Sequence, residues 1–311
     1  MKILRSICLT ALFALPLPSP AAGANAALAS HQWNHGAVDC SANQDPGIET
    51  YEFDEDTYVL RQNKFVSYEA AFIYVLFGAH TVLVLDTGAT EADEDFPLYE
   101  TVRSLVEPRQ ADRSSPLDIL VLHSHSHGDH KAADAQFKGK PGVTLIEPSQ
   151  SGVSGFLESS GGVVALGGRE LRVLAIPGHQ AESVALHDSK TKWLLTGDTL
   201  YPGVISVLDW DAYQSSIEAL ADFASNHEVS AVLGSHIEMS TTPSVIYERG
   251  TTYQPDEASL VLPVEVLSEV AAGLAGPQGE RRRVVTESVI IESIPWPVRV
   301  LIRVLRMAGV G

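Results

Sequence analysis

The run His125-Ser126-His127-Gly128-Asp129-His130 constrains this chain more than any other feature. Three imidazoles and a carboxylate fall within six residues, a density of ligating groups that packing does not require. The apolar stretch Asp118-Ile119-Leu120-Val121-Leu122 precedes it and reads as a buried strand that delivers the run at its C-terminal end. Residues two apart on extended backbone point the same way, so His125 and His127 form one pair. Gly128 lets the backbone turn, so that Asp129 and His130 aim at a neighbouring point. Imidazole mixed with carboxylate suits Zn²⁺, with Fe or Mn as alternatives.

Further ligand-type residues recur at the ends of other short β-rich runs. Asp86 closes Thr81–Leu85, which is apolar throughout and therefore expected to be buried on both faces. His179 follows Pro177-Gly178 after the run Leu171–Ile176, and Asp198 follows Gly197 after Trp193-Leu194-Leu195. His236 follows Gly234-Ser235 after Val229–Leu233. In each case a strand stops, a small residue permits a sharp turn, and a ligand-type side chain stands at the mouth. Five such events predict one rim on which all of them converge. Helical spacing is read around Tyr99–Val106, over Ala212–Asn226 and over Pro263–Leu274, and strands at 58–61, 70–77, 143–146 and 183–187. Strand groups mixed with helices predict two packed sheets flanked by helices.

Together, Asp86, the His125/His127/Asp129/His130 motif, His179, Asp198 and His236 resemble the metallo-β-lactamase fold superfamily over roughly residues 57–237. The resemblance implies an α/β fold, an αββα sandwich with a dinuclear centre at one edge. It implies that His125, His127 and His179 hold one metal, that Asp129, His130 and His236 hold a second, and that Asp198 bridges them. Asp86 would orient the motif by hydrogen bonds. Two Zn²⁺ are expected, with Asp129 and Asp198 taking part in catalysis, because a water shared by two ions ionises near neutral pH. Tyr201 is read both as a phenol donating to a substrate oxygen and as a packed rim aromatic. Gly197-Asp198-Thr199-Leu200 and Pro177-Gly178-His179 look like the glyoxalase-II-like and lactonase-like branches, whereas the β-lactamases of the superfamily lack the bridging aspartate. Gln180 departs from the Thr common in glyoxalase-II-like members, and nothing resembles their helical glutathione-holding module. The expected activity is hydrolysis of a small ester, thioester or lactone by metal-activated hydroxide. Amide, β-lactam or phosphoester hydrolysis, and an iron-dependent sulfur dioxygenase using one metal in the same fold, are the alternatives.

The chain is expected to fall into four parts. Residues 1–26 combine Lys2 and Arg5, a short apolar run broken by Pro16 and Pro18, and an Ala-rich zone with cuts after Ala24 or Ala26. That pattern predicts a cleaved leader and a periplasmic or secreted protein. Loss of Cys8 leaves Cys40 as the sole cysteine, so no internal disulfide is expected. Residues 27–50 read as a mobile lead-in containing solvent-exposed His31 and His35, and residues 51–276 as the hydrolase domain. Residues 277–311 read as an extension made of a strand and a basic helix with Arg299, Arg303 and Arg306 on one face. That helix is expected to pack on the acidic body, with contact to an anionic membrane as the second reading. The net charge of −18 argues against nucleic-acid partners and leaves a small-molecule substrate. His123 is expected to be a hydrogen-bonded neighbour of the site, His80, His187 and His227 to be structural, and Arg249 to form a surface ion pair.

Overall fold

The structure, a computed structural model, describes residues 20–39, 41, 43–110, 116–276, 282–295 and 297–298. Its first sheet runs in chain order: β1 (Ile48–Asp54), β2 (Thr57–Gln62), β3 (Phe72–Phe77), β4 (Thr81–Leu85), β5 (Asp118–Leu122) and β6 (Val143–Leu145). β1 to β4 pair antiparallel, and β5 and β6 continue in parallel. The second sheet contains β7 (Val163–Ala165), β8 (Glu170–Ala175), β9 (Val184–Asp188), β10 (Trp193–Gly197), β12 (Ala231–Gly234) and β13 (Val261–Leu262), in the order β13-β12-β10-β9-β8-β7.

Alternation along the strands explains why their sequences are apolar throughout. Phe72, Tyr74 and Leu76 of β3 and Leu83 and Leu85 of β4 face the second sheet, where Leu171, Val173, Leu186, Trp193 and Leu195 meet them. The intervening Ile73, Val75, Val82 and Val84 face outward onto α2 (Leu98–Gln110), through Leu98, Val102 and Val106. On the far side, Ala185, Leu194 and Val232 pack beneath α6 (Trp210–Asn226) and α7 (Val266–Ala275). A side-chain period of two thus serves one inter-sheet core and one helix-covered face at once. The result is a four-layer αββα sandwich, in which the short α4 (Asp134–Phe137) and α5 (Gln150–Ser160) lie between β5 and β7 in the chain. α6 starts at Asp209, whose side chain accepts a hydrogen bond from Ala212 N, and it buries Tyr213, Ile217 and Leu220 at helical spacing.

Two segments depart from the sequence reading. Described parts of residues 27–50, expected as a mobile lead-in, are docked on the domain. α1 (Pro20–Ala29) and the chain after it deliver Leu28 and Trp33 into the inter-sheet core. Asn25 accepts a hydrogen bond from Trp193 Nε1 at 2.8 Å. His31 is not a free surface histidine: it lies 2.8 Å from Glu49 and packs against Trp33 and Tyr51. The small, Ala-rich composition hid the two large apolar anchors.

The second departure is in the tail. β14 (Arg283–Val285) and β15 (Ile290–Ser293) form a hairpin rather than one strand, and β15 pairs in parallel with β11 (Val204–Val207) in a third sheet. The described part of the tail is therefore built into the domain. Arg299, Arg303 and Arg306 lie outside the described residues.

Trp33 is almost fully buried and meets Phe72 edge-on at 4.8 Å. Trp33→Ala is expected to cost about 3–5 kcal/mol, read as a lower urea midpoint; an unchanged midpoint would show that the segment does not dock.

Candidate metal centre

The ends of β4, β5, β10 and β12, with the turn after β8, meet along one edge of the sandwich. β5 leads through His123 and Ser124 to His125 and His127, and the short helix α3 (Gly128–Lys131) carries Asp129 and His130. Two of the turns have no room for a side chain. A Cβ on Gly178 would stand 2.4 Å from Tyr213 Cα, and one on Gly197, at φ +55°, would stand 2.5 Å from Ser124 Cβ. Glycine there lets the next residues, His179 and Asp198, face the cleft.

All seven residues expected as ligands come together. His125, His127, His179 and Asp198 form one group and Asp129, His130, Asp198 and His236 the other, with the donor atoms of each group within 4.8 Å of one another. Asp198 serves both. Its Oδ2 lies 3.7 Å from the Nε2 atoms of His125 and His179, and its Oδ1 lies 3.3 Å from those of His130 and His236. Asp129 Oδ2 lies 3.4 Å from His236 Nε2 and 3.6 Å from His130 Nε2.

The donor set fits divalent metal. His130 Nδ1 donates to Asp86 at 2.9 Å, His179 Nδ1 to Ser206 O at 2.7 Å, and His236 Nδ1 to Glu69 O at 3.0 Å. Each bond fixes the tautomer that turns an Nε2 lone pair inward. His125 Nε2 and Asp198 Oδ1 are buried without a hydrogen-bond partner. Orphans of that kind are rare in a folded interior, and a metal ion would satisfy both. Gln180 touches His127 Nε2 through its side-chain amide, leaving Nδ1 to face His179 Nε2 at 3.2 Å.

Electrostatics divides the imidazoles. Burial pushes His125 and His179 down, and burial with the His179 charge takes His127 to about 4. Burial opposes charge on His130 as well, but Asp198 and Asp86 outweigh it and hold His130 at about 10; Asp198 and Asp129 raise His236 in the same way. Those imidazoles in turn overcome burial to hold Asp129 at about 2 and Asp198 well below the carboxylate range. Without metal, protons on His130 and His236 stand where a cation would.

Asp86 takes the orienting position expected of it, and His123 is a hydrogen-bonded neighbour, lying 3.1 Å from Ile146 O and 2.8 Å from Asp134. Tyr201 requires a correction. Its hydroxyl donates to Val204 O at 2.9 Å and lies 3.2 Å from Glu238, so its one proton is committed away from the substrate space. It serves as a rim aromatic, with its ring 5.4 Å from that of His236. His187 and His227 bond the carbonyls of Glu228 and Phe223, and Arg249 lies 3.5 Å from Glu69 on the surface. The sequence reading missed Gln180, Ser206, Glu69 and Glu238 as partners of the site. The departure at Gln180 was the one available signal, since Ser206 and Glu69 orient their histidines through backbone carbonyls.

The sequence model of the metallo-beta-lactamase superfamily matches residues 68–236, more than half of the chain. The chain belongs to the metallo-beta-lactamase superfamily. It is 26% identical to the acyl-coenzyme A thioesterase MBLAC2 of Gallus gallus over 225 residues, covering 58% of this chain and 77% of that protein. It is 34% identical to the hydroxyacylglutathione hydrolase of Rhizobium meliloti (strain 1021) over 85 residues, 26% of this chain and 33% of that one. Among solved structures, the metallo-beta-lactamase from Pontibacter korlensis aligns with a TM-score of 0.49 at 16% identity, over 74% of this chain and all of that one.

Removal of the Asp86 carboxylate would strand the donors that it accepts from. Asp86→Ala is expected to lower metal affinity about 10–100-fold, read by competition with a chromophoric chelator; retained affinity would refute the orienting role. A second expectation concerns the metal-free protein. His127 takes a proton more readily unfolded, near 6.5, than folded, near 4, so stability is lost as pH falls through that window. His125 and His179 act in the same sense; His130 and His236, raised above 6.5 in the fold, oppose them but are outnumbered, and Asp129 titrates below the window. The urea midpoint of metal-free protein should drop between pH 7 and pH 5; a flat profile would contradict buried neutral imidazoles.

Proposed function

We propose that this chain is an exported two-metal hydrolase, with zinc as the metal, that cleaves a small thioester, ester or lactone. The observation that carries the reading is the pair of four-donor groups sharing Asp198, with His125 Nε2 buried at its centre without a hydrogen-bond partner. Imidazole and carboxylate donors without cysteine suit Zn²⁺ in a catalytic role. The names of the relatives, a thioesterase and a hydrolase, support acyl transfer to water.

Two divalent ions, if held by these residues, would supply Lewis acidity and bring the pKa of a water down to about 7. The chain supplies the rest. Asp86, Ser206 and Glu69 fix three imidazole tautomers, and Gln180 steadies a fourth ring. Asp129 and Asp198 stay ionised, so their oxygens can hold the ions and accept a hydrogen bond that orients the attacking water. A cleft of about 660 Å³ opens over them, lined by Tyr68, Tyr201 and Tyr247 among others, which suits a small organic substrate. Both metal groups are complete, which favours hydrolysis over single-metal iron chemistry.

Export rests on the charged, apolar and small-residue order of residues 1–26. A cut after Ala24 would keep Asn25 and its bond to Trp193, whereas a cut after Ala26 would remove it.

Protein recovered from the periplasmic fraction or the medium is expected to begin at Asn25 or Ala27 and to carry two zinc equivalents by elemental analysis. It should lose turnover on chelation and regain it with zinc. Asp198→Ala should abolish turnover and lower the metal content. One iron per chain with a ferrous or ferric EPR signature, or full turnover in Asp198→Ala, would overturn the reading.

A further inference from the structure

The metal groups explain attack on an acyl carbon but not which acyl compound reaches them. Any part of the substrate beyond the scissile bond must lie in the cleft, whose outer wall is residues 246–251 and whose opposite lip is Tyr68 and Glu69. Apart from the metal-holding aspartates, three carboxylates line it: Glu69, Glu238 and Glu248. Among the described lining residues, Arg249 alone carries a guanidinium or ammonium group, and Glu69 already faces it at 3.5 Å. Glu238 accepts from Val204 N at 2.9 Å, which fixes its carboxylate at the wall. Among the described residues Glu248 forms no ion pair. Tyr68, more than a third exposed, and Tyr247 add aromatic surface beside these acids.

Resting on the hydrolase reading, we propose that the cleft selects acyl substrates whose carrier group is neutral or cationic and rejects polyanionic carriers such as nucleotide-linked thioesters. A carrier with phosphates needs several Lys or Arg side chains or helix N-termini to replace its hydration. The cleft offers one guanidinium, already paired. A cation meets the opposite situation, with surplus carboxylates for charge and tyrosine faces for cation–π contact. The net charge of −18 extends the same bias to the approach path. Ions bound at the metal groups act on the acyl carbon common to every substrate, so discrimination among carriers falls to the rim. The named substrate of the acyl-coenzyme A thioesterase relative therefore does not carry over to this chain.

The test uses zinc-loaded full-length protein and three butyryl thioesters: of thiocholine, a cation; of N-acetylcysteamine, neutral; and of coenzyme A, a polyanion. At low ionic strength, kcat/KM for the first two is expected to exceed that for butyryl-coenzyme A by about tenfold or more. Raising NaCl to about 0.5 M should lower the rate on the cation and raise it on the polyanion, because screening removes both the attraction and the repulsion. The double variant Glu69→Gln/Glu248→Gln should move the ratio toward coenzyme A. Butyryl-coenzyme A as the best substrate, or a ratio indifferent to salt and to both substitutions, overturns the proposal. If none of the three turns over, the thioester branch of the hydrolase reading fails, and the rim is then judged by equilibrium binding of the free thiols to the same zinc-loaded protein. Thiocholine binding at least as tightly as coenzyme A supports the proposal, and tighter coenzyme A overturns it.

Discussion

The centre depends on one buried carboxylate. Asp86 is fully shielded from solvent at the end of β4 and accepts hydrogen bonds from Ser124 N at 2.7 Å, Ser124 Oγ at 2.8 Å, His130 Nδ1 at 2.9 Å and Ser235 Oγ at 3.3 Å. Those donors come from the loop after β5, from α3 and from the loop after β12, so the side chain ties the working edges of both sheets together. Its backbone adopts φ +69°, a left-handed conformation that costs a non-glycine residue about 1–3 kcal/mol. Four buried donors, each costing about 1–3 kcal/mol if left unpaired, explain why the strain is sustained. Without this carboxylate, the histidine motif and His236 would have no common reference point.

Much of this edge is legible in the sequence for a physical reason. Buried strands must be apolar, so a polar, ligand-type residue directly after one is conspicuous, and the seven ligands stand out against Val, Leu and Ile. What holds the ligands is largely illegible. Ser206 and Glu69 orient His179 and His236 through main-chain oxygens, which any residue would supply. Tyr201 shows the opposite failure: a phenol three residues beyond Asp198 has the chemistry to donate, but Val204 O lies close enough to take its proton.

The fold was least legible where order comes from distant partners. β1 alternates Tyr51 and Phe53 with polar residues, a half-buried pattern easily mistaken for a loop when the preceding stretch is small and polar. The single strand expected in the tail breaks at Thr286, whose side chain accepts from Ser288 N and Val289 N, and the two halves become β14 and β15. Parallel pairing of β15 with β11 joins residues more than eighty positions apart, a register that no local pattern encodes. That pairing also brings Ile294 to the cleft.

Chemistry and selectivity have separate supports in this molecule. The match to the superfamily ends at His236, the last residue of the candidate metal groups, and the outer wall of the cleft, residues 246–251, lies beyond it. That wall is irregular, held to itself by the bridges Met239↔Ile246 and Ser240↔Glu257. Its anchor is Glu257, which binds Arg61 through both carboxylate oxygens, at 2.5 and 2.6 Å, and approaches Lys64 at 3.5 Å. Burial and the Arg61 charge push Lys64 down to about 8, so two cations lean on a single carboxylate. Removing one member of such a buried network strands the others, which makes the anchor hard to change. The wall from Tyr247 to Thr251 is held by lighter contacts: Tyr247 Oη accepts from Asp256 N at 2.9 Å, and Arg249 meets Glu69 at 3.5 Å on the surface. Membership of the superfamily thus constrains the candidate metal groups, which lie within residues up to His236, while the outer wall of the cleft is built from residues beyond it.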